Sequence, residues 1–371
     1  MEIQVSRFRE VMEWLKPVVP RNPSLPVLKS ILLRDGQAVA TDLETMVIIP
    51  MPEADVPCLL PYADVAKMLR YVQGGEYIKV EVDGNKARLT WSEGSASFSS
   101  PDITEFPDVP EFIPEVEESL DSDTLIAALL SVLPYTATGN SRPVLGGVTL
   151  VLGETIEVAA GDGFRMAYHV LPLSFPQEMT AILPSGSLYA LSQLWEKTPR
   201  YPSPSDNLIS AIVAKKPVAI GFDGKSGLRF EFGKEATAIV KLVEGSPPAW
   251  LKLIPKEEPV LESQVMAPEL ELAVRRALRV AADNNNIIRV AFNDSTATVS
   301  AKGGDQEVES QIKAFATKGA PNKFGINATF LLDYLSGKQG VVSIALTGQM
   351  APILFRHQNT PRVLIMPMNI D

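Results

Sequence analysis

The stretch Ile78-Lys79-Val80-Glu81-Val82-Asp83-Gly84-Asn85-Lys86-Ala87-Arg88-Leu89-Thr90-Trp91 alternates apolar and polar side chains on both sides of an Asp-Gly pair. Side chains along a strand point to opposite faces with period two. Asp-Gly supplies the left-handed backbone that a tight hairpin needs. The stretch therefore predicts two antiparallel strands, each with one buried face. The pattern returns twice. Pro217–Phe222 leads into Asp223-Gly224 and Leu228–Phe232, and Val341–Leu346 leads into Thr347-Gly348 and Pro352–Phe355. A further hairpin is predicted from Ile288–Phe292, Asn293-Asp294 and Thr296–Ala301.

Working outward, each hairpin follows an amphipathic helix: Tyr62–Val72, Gly186–Glu196 and Ala328–Leu335, the last with Asn327 placed to cap it. Farther upstream lies another helix in each case. Val5–Lys16 carries Val5, Phe8, Val11, Met12 and Leu15 at helical spacing. Asp123–Leu133 is entered from Asp121-Ser122-Asp123, and Pro268–Ala282 has proline in its first turn. A repeat of this length is too long for a solenoid, so each copy is expected to be a whole domain. The expected fold class is α+β: three tandem copies of one domain, each with two helices packed on antiparallel sheet. The copies are placed at 1–117, 118–250 and 251–371, with Pro-rich acidic segments at Phe106–Glu118 and Gly245–Pro259 separating them.

Length agrees, since 371 residues at roughly 100–200 per domain allow two to four domains. The lone Cys58 leaves no disulfide frame and no paired-cysteine metal site. Met1-Glu2-Ile3-Gln4-Val5 lacks the basic-then-apolar order of a signal peptide. Leu125–Leu133 has about half the length of a membrane span. A cytoplasmic chain without membrane contact is expected.

The net charge of −10 is unevenly spread: −8, −3 and +1 over the three copies. An acidic total leaves nucleic-acid binding only to local basic surfaces. Helix Pro268–Ala282 carries Arg275, Arg276 and Arg279 opposite Leu270, Ala273, Ala277 and Val280. Copy one offers Arg7, Arg9, Lys16, Lys67 and Arg70. Copy two offers Lys197 and Arg200 near the end of its second helix. Each such face alone reads as an ordinary solvated surface; gathered around a hole, they would contact phosphates without reading sequence, and no base-reading motif is present.

Motifs for catalysis are missing. His169 and His357 are the only histidines, with no HExxH and no GxxxxGK[ST] loop. In Gly161-Asp162-Gly163, Met166 stands where a dinucleotide loop needs its third glycine. No catalytic residue, metal site or cofactor is expected. An unrelated enzyme of three duplicated domains would need a deep polar pocket with a titratable cluster.

Several ordered stretches resemble the beta subunit of bacterial DNA polymerase III, the sliding clamp family. They are Ser24-Leu25-Pro26-Val27-Leu28-Lys29-Ser30-Ile31-Leu32-Leu33, Ala40-Thr41-Asp42-Leu43-Glu44, Glu105-Phe106-Pro107-Asp108, Leu145-Gly146-Gly147-Val148 and Asp162-Gly163-Phe164-Arg165-Met166-Ala167. Lys241-Leu242-Val243-Glu244-Gly245 with Pro248 and Ile254-Pro255 follows, then Val363-Leu364-Ile365-Met366-Pro367-Met368 at the end. The resemblance covers nearly the whole chain.

The resemblance implies a head-to-tail homodimer closed into a ring, with helices facing a hole that holds double-stranded DNA. It implies a non-catalytic processivity factor that works on the nucleoid. Its partners would be the polymerase catalytic subunit, the clamp loader, and other replication and repair proteins bearing short peptide motifs. Arg21, Asn140 and Arg142 lie in loops resembling DNA-contacting loops. The partner-peptide cleft, expected at the junction of copies two and three, maps to Leu145, Gly161, Gly163, Phe164, Arg165, Met166, Pro248, Leu253, Leu364, Met366, Pro367 and Met368. The family has His where Phe164 stands and usually Thr where Gly161 stands, so the cleft wall is expected to differ. A clamp-fold recruitment protein that holds DNA weakly is the alternative, motivated by the sparse basic residues of copy two.

Overall fold

The computed structural model describes residues 1–139, 142–199, 217–224, 227–282, 285–319, 322–358 and 360–369. Six α-helices are described: α1 Val5–Leu15, α2 Tyr62–Leu69, α3 Ser122–Val132, α4 Ser185–Lys197, α5 Ala267–Ala281 and α6 Ala328–Leu335. Each falls where the periodicity places one, and Asn327 caps α6 by accepting from the Thr329 N–H at 2.9 Å. Helix α2 stops at Leu69 rather than Val72. From there the backbone tightens: Arg70, Tyr71 and Val72 bond the carbonyls three residues back, at 3.3, 3.0 and 3.4 Å.

The chain divides into two compact units. The first comprises Met1–Ala127, Leu152–Glu154 and Leu173–Glu244. It holds an eight-stranded antiparallel sheet in the order Cys58–Pro61, Ser30–Arg34, Gln37–Thr41, Thr45–Pro50, Ala236–Lys241, Gly227–Phe232, Pro217–Phe222, Val116–Asp121. A four-stranded sheet orders Glu2–Gln4, Tyr77–Asp83, Lys86–Trp91 and Gly94–Ser99. The Asp-Gly hairpin is here, with Asp83 opposite Lys86 and Gly84 at φ +58°. Helix α1 buries Val5, Phe8, Val11, Met12, Trp14 and Leu15. Fully burying one aliphatic or phenyl side chain is worth about 1.5–3 kcal/mol, so this face alone fixes the helix against the sheets and α2.

Basic residues on α1 hold neighbouring backbone. The Arg9 Nε donates to the Leu69 carbonyl at 2.9 Å and its Nη2 reaches the Leu69 and Val72 carbonyls, closing the end of α2. Arg7 pairs with Glu10 at 2.8 Å and donates to the Pro50 carbonyl at 2.9 Å.

The second unit comprises Ala128–Val151, Thr155–Pro172 and Gly245–Asp371. Its antiparallel strands run, neighbour to neighbour, Gly147–Leu152, Ile156–Gly161, Arg165–Leu171, Arg362–Ile365, Ile353–Arg356, Val341–Leu346, Leu261–Met266 and Gln306–Gly319, then Thr296–Gly303, Ile287–Phe292 and Asn322–Asn327. Helix α5 packs on Gln306–Gly319, Thr296–Gly303 and α6. It buries Leu270, Ala273, Val274, Ala277 and Ala281 while Val280 is half-buried.

Candidate functional site

In the second unit, Arg165–Leu171 pairs with the C-terminal strand, with Arg165 opposite Ile365 and Met166 opposite Leu364. Hydrophobic residues from distant stretches meet under this junction. Leu145, Ala159, Met166, Tyr168, Trp250, Ala345, Leu354 and Leu364 form one buried cluster. Above it opens a cleft of about 130 Å³ lined by Gly163, Phe164, Arg165, Met166, Trp250, Leu253, Pro352, Leu364 and Met366.

The turn that enters the strand is held by Asp162. Its Oδ1 accepts from the Phe164 and Arg165 N–H groups at 2.9 and 3.0 Å, and Gly163 sits at φ +96°. This geometry swings Phe164 outward, 58% exposed, while the Met366 N–H bonds the Phe164 carbonyl at 2.8 Å. Met366 is itself 40% exposed. Two adaptable apolar side chains thus stand at the mouth of an apolar cleft, a surface suited to short peptide ligands.

Arg165 is fixed rather than free. Its Nε donates to Asp162 Oδ2 at 3.0 Å, its Nη1 to Asp333 Oδ2 at 2.6 Å and its Nη2 to the Pro134 carbonyl at 3.3 Å. The guanidinium lies 4.7 Å from the Phe330 ring centroid and 5.3 Å from that of Tyr135. Burial alone pulls its pKa down, but the hydrogen bonds it donates to Asp333 and Asp162, with the attraction of both carboxylates, outweigh that and raise it. Burial also pushes the Tyr135 phenol up.

The remaining mapped residues surround the cleft without lining it. Leu145 is buried below, and Pro248 is half-buried, its carbonyl accepting from the Trp250 N–H at 2.8 Å. Pro367 and Met368 are half-buried beyond Met366, and the Met368 N–H bonds the Gly325 carbonyl at 2.9 Å. Gly161 lies under the cleft wall. A Cβ there would sit 2.8 Å from Trp250 Cζ3 and 3.0 Å from the Arg165 carbonyl oxygen, so threonine does not fit unless Trp250 moves. Trp250 and Pro352 were not identified from the sequence. Trp250 follows Pro248 of the clamp-like stretch, and its indole N–H reaches Thr149 Oγ1 at 3.0 Å.

The basic residues separate into tethered and exposed. Lys197 donates to the Glu13 carbonyl, and burial lowers its pKa. Arg275 pairs with Glu271 at 2.6 Å across one helical turn. Arg276, Arg279, Arg21 and Arg142 are exposed. Asn140 and Arg200 lie outside the described residues. Among the described residues no group of three metal-ligating side chains occurs, and no helix is long and apolar enough to cross a membrane.

The family model described as DNA polymerase III beta subunit, C-terminal domain, matches residues 251–369. The beta sliding clamp of Streptomyces coelicolor is 24% identical, with 100% of each chain covered. That of Escherichia coli K12 is 23% identical over 94% of this chain and 93% of its own. Among solved structures, a putative DNA polymerase III beta subunit from Eubacterium rectale superposes with a TM-score of 0.86 at 15% identity, covering 100% and 99% of the two chains. The beta subunit of Thermotoga maritima gives 0.84 at 16% identity, with the same coverage. The fold is that of the DNA polymerase sliding clamps. Over residues 251–369 the chain matches the C-terminal domain of the DNA polymerase III beta subunit, and over its whole length it is similar to the beta sliding clamps.

Proposed function

We propose that this protein is a sliding clamp that confers processivity on the replicative DNA polymerase. In this reading it encircles duplex DNA and recruits the polymerase, the clamp loader and repair proteins through short peptides. The observation that carries it is the apolar cleft, with Phe164 and Met366 exposed above Met166 and Leu364, on a fold shared with the polymerase clamps. We place three clamp domains at 1–117, 118–250 and 251–371. The recurring helix and hairpin order supports this, as does a family match that begins at residue 251. Two chains would join head to tail into a ring in the cytoplasm, threaded by the nucleoid's DNA.

Within that ring the exposed face of α5, with Arg276 and Arg279, would contact phosphates, aided by Arg21 and Arg142 from loops. The protein itself would carry out no chemistry.

A polymerase assay with a clamp loader on primed circular DNA tests the proposal. Unmodified protein should lengthen products strongly, and the variant Arg275→Glu, Arg276→Glu, Arg279→Glu should do so weakly with its thermal midpoint unchanged. No stimulation by the unmodified protein overturns the clamp function. Normal performance by the triple variant removes α5 from the DNA surface. Light scattering should give about twice the 40.3 kDa chain mass.

A further inference from the structure

The first unit holds a second groove, of about 320 Å³, at the junction of strands Thr45–Pro50 and Ala236–Lys241. It is built on the same scaffold as the cleft described above. Asp42 Oδ1 accepts from the Glu44 and Thr45 N–H groups at 3.0 and 2.7 Å, as Asp162 does for Phe164 and Arg165. Met46 faces Ile239 as Met166 faces Leu364. The Lys241 N–H bonds the Glu44 carbonyl at 2.8 Å, the counterpart of the bond from Met366 to Phe164. Under the groove, Leu32, Val39, Met46, Leu59 and Phe106 form a buried cluster.

What differs is the charge around the opening. The walls still offer apolar surface from Leu43, which is 44% exposed, and from Ile239 and Phe112. Where the other cleft displays Phe164 and Met366, this one has Glu44 and Lys241. The Pro-rich segment over it adds Asp108 and Glu111, both exposed. Among the described residues Lys241 is the only cation in the lining, where Glu44, Asp108, Glu111 and Asp223 outnumber it inside a groove of ligand-binding size.

We propose that this groove docks a short extended segment of a partner protein, one apolar anchor flanked by lysine or arginine. The anchor would rest on Leu43, Ile239 and Phe112, and the cations would face Asp108 and Glu111. A strand junction presenting an apolar floor under a rim of one charge selects by complementarity, so acidic segments would be rejected here.

The test uses the full-length protein and a fluorescein-labelled peptide of alternating lysine and leucine, read by anisotropy. The groove variant is Asp108→Lys with Glu111→Lys. Its control, Asp83→Lys with Glu93→Lys, changes net charge equally at exposed positions on the four-stranded sheet and its loop. The groove variant should weaken binding about tenfold and the control less than about twofold, since nearby charge pairs govern such affinity. Leu43→Ser should weaken it too, whereas Phe164→Ala with Met366→Ala should leave it in place. An unlabelled peptide of alternating glutamate and leucine should not compete. Should the lysine variant misfold, Asp108→Asn with Glu111→Gln replaces it. The proposal fails if the unmodified protein does not bind, if groove and control variants lose affinity equally, or if the Phe164 and Met366 variant abolishes binding.

Discussion

The turn Asp42-Leu43-Glu44 in the first unit and the turn Asp162-Gly163-Phe164 in the second make the same backbone hydrogen bonds under different electrostatics. Asp162 is matched by Arg165 at 3.0 Å, which Asp333 also holds. Thr45 occupies the position equivalent to Arg165, and among the described residues no cation pairs with Asp42. Burial accordingly raises the Asp42 pKa, despite its bonds from the Thr45 and Glu44 N–H groups, which act to lower it. Glu44 is raised as well, by burial and by the neighbouring Asp42 charge. Backbone geometry can thus be kept while the side chains that give a cleft its chemistry change.

The largest effects that would break the comparison lie beneath the two clefts. Trp250→Ala and Phe106→Ala should each cost about 3–5 kcal/mol, as large-to-small changes at buried aromatic sites do. The tryptophan variant should cost more, because Thr149, 1% exposed, loses the partner of its hydroxyl, a penalty of about 1–3 kcal/mol. Equal losses in urea denaturation would show that the indole N–H contributes nothing.

Smaller effects follow at the left-handed positions. Leu43 has φ +79° where Gly163 has φ +96°. A Cβ in that region costs about 1–2 kcal/mol. Gly163→Leu should therefore destabilise by about that much, while Leu43→Gly should stabilise by less than about 1 kcal/mol, since glycine also loosens the unfolded chain. Opposite signs in paired melts support one scaffold in two places, and like signs break the equivalence.

The smallest effect concerns Asp42. With its pKa raised, the folded protein holds this proton to higher pH than the unfolded chain does. Stability is therefore lost as pH rises from the ordinary aspartate value through the folded one, and it stays lost at neutrality. Asp42→Asn retains the Oδ1 acceptor, so its denaturation midpoint should exceed that of the unmodified protein at pH 7. The gain should shrink as the pH falls below the ordinary carboxylate range. Parallel midpoints across the series would mean that the Asp42 charge carries no burial cost.

Helices and hairpins were legible in the sequence because they are local. The 3.6-residue spacing in Val5–Leu15 and the alternation around Asp83-Gly84 each need only neighbouring residues. The lining residues Gly163, Phe164, Arg165, Met166, Leu253, Leu364 and Met366 were found through short stretches resembling the clamp family. Trp250 and Pro352 escaped, since a wall assembled from three distant stretches has no local period. The correspondence of Thr41-Asp42-Leu43-Glu44 with Gly161-Asp162-Gly163-Phe164, which share only their aspartate, was not drawn from the sequence. Its meaning emerged only when Lys241 and Met366 were found bonded to the last residue of each. A count of basic residues leaves their surroundings unread. The count cannot distinguish Arg9 and Lys197, committed to carbonyls far along the chain, from the exposed Arg276 and Arg279.

Arginine spent on a carbonyl is withheld from the electrolyte. A side chain such as Arg9, whose Nε and Nη2 already donate to carbonyls at the end of α2, has fewer donors left for a phosphate. Each phosphate neutralised adds about 0.9 to the slope of log affinity against log salt, so on the proposed reading that slope should count exposed cations such as Arg276 and Arg279 and leave Arg9 out.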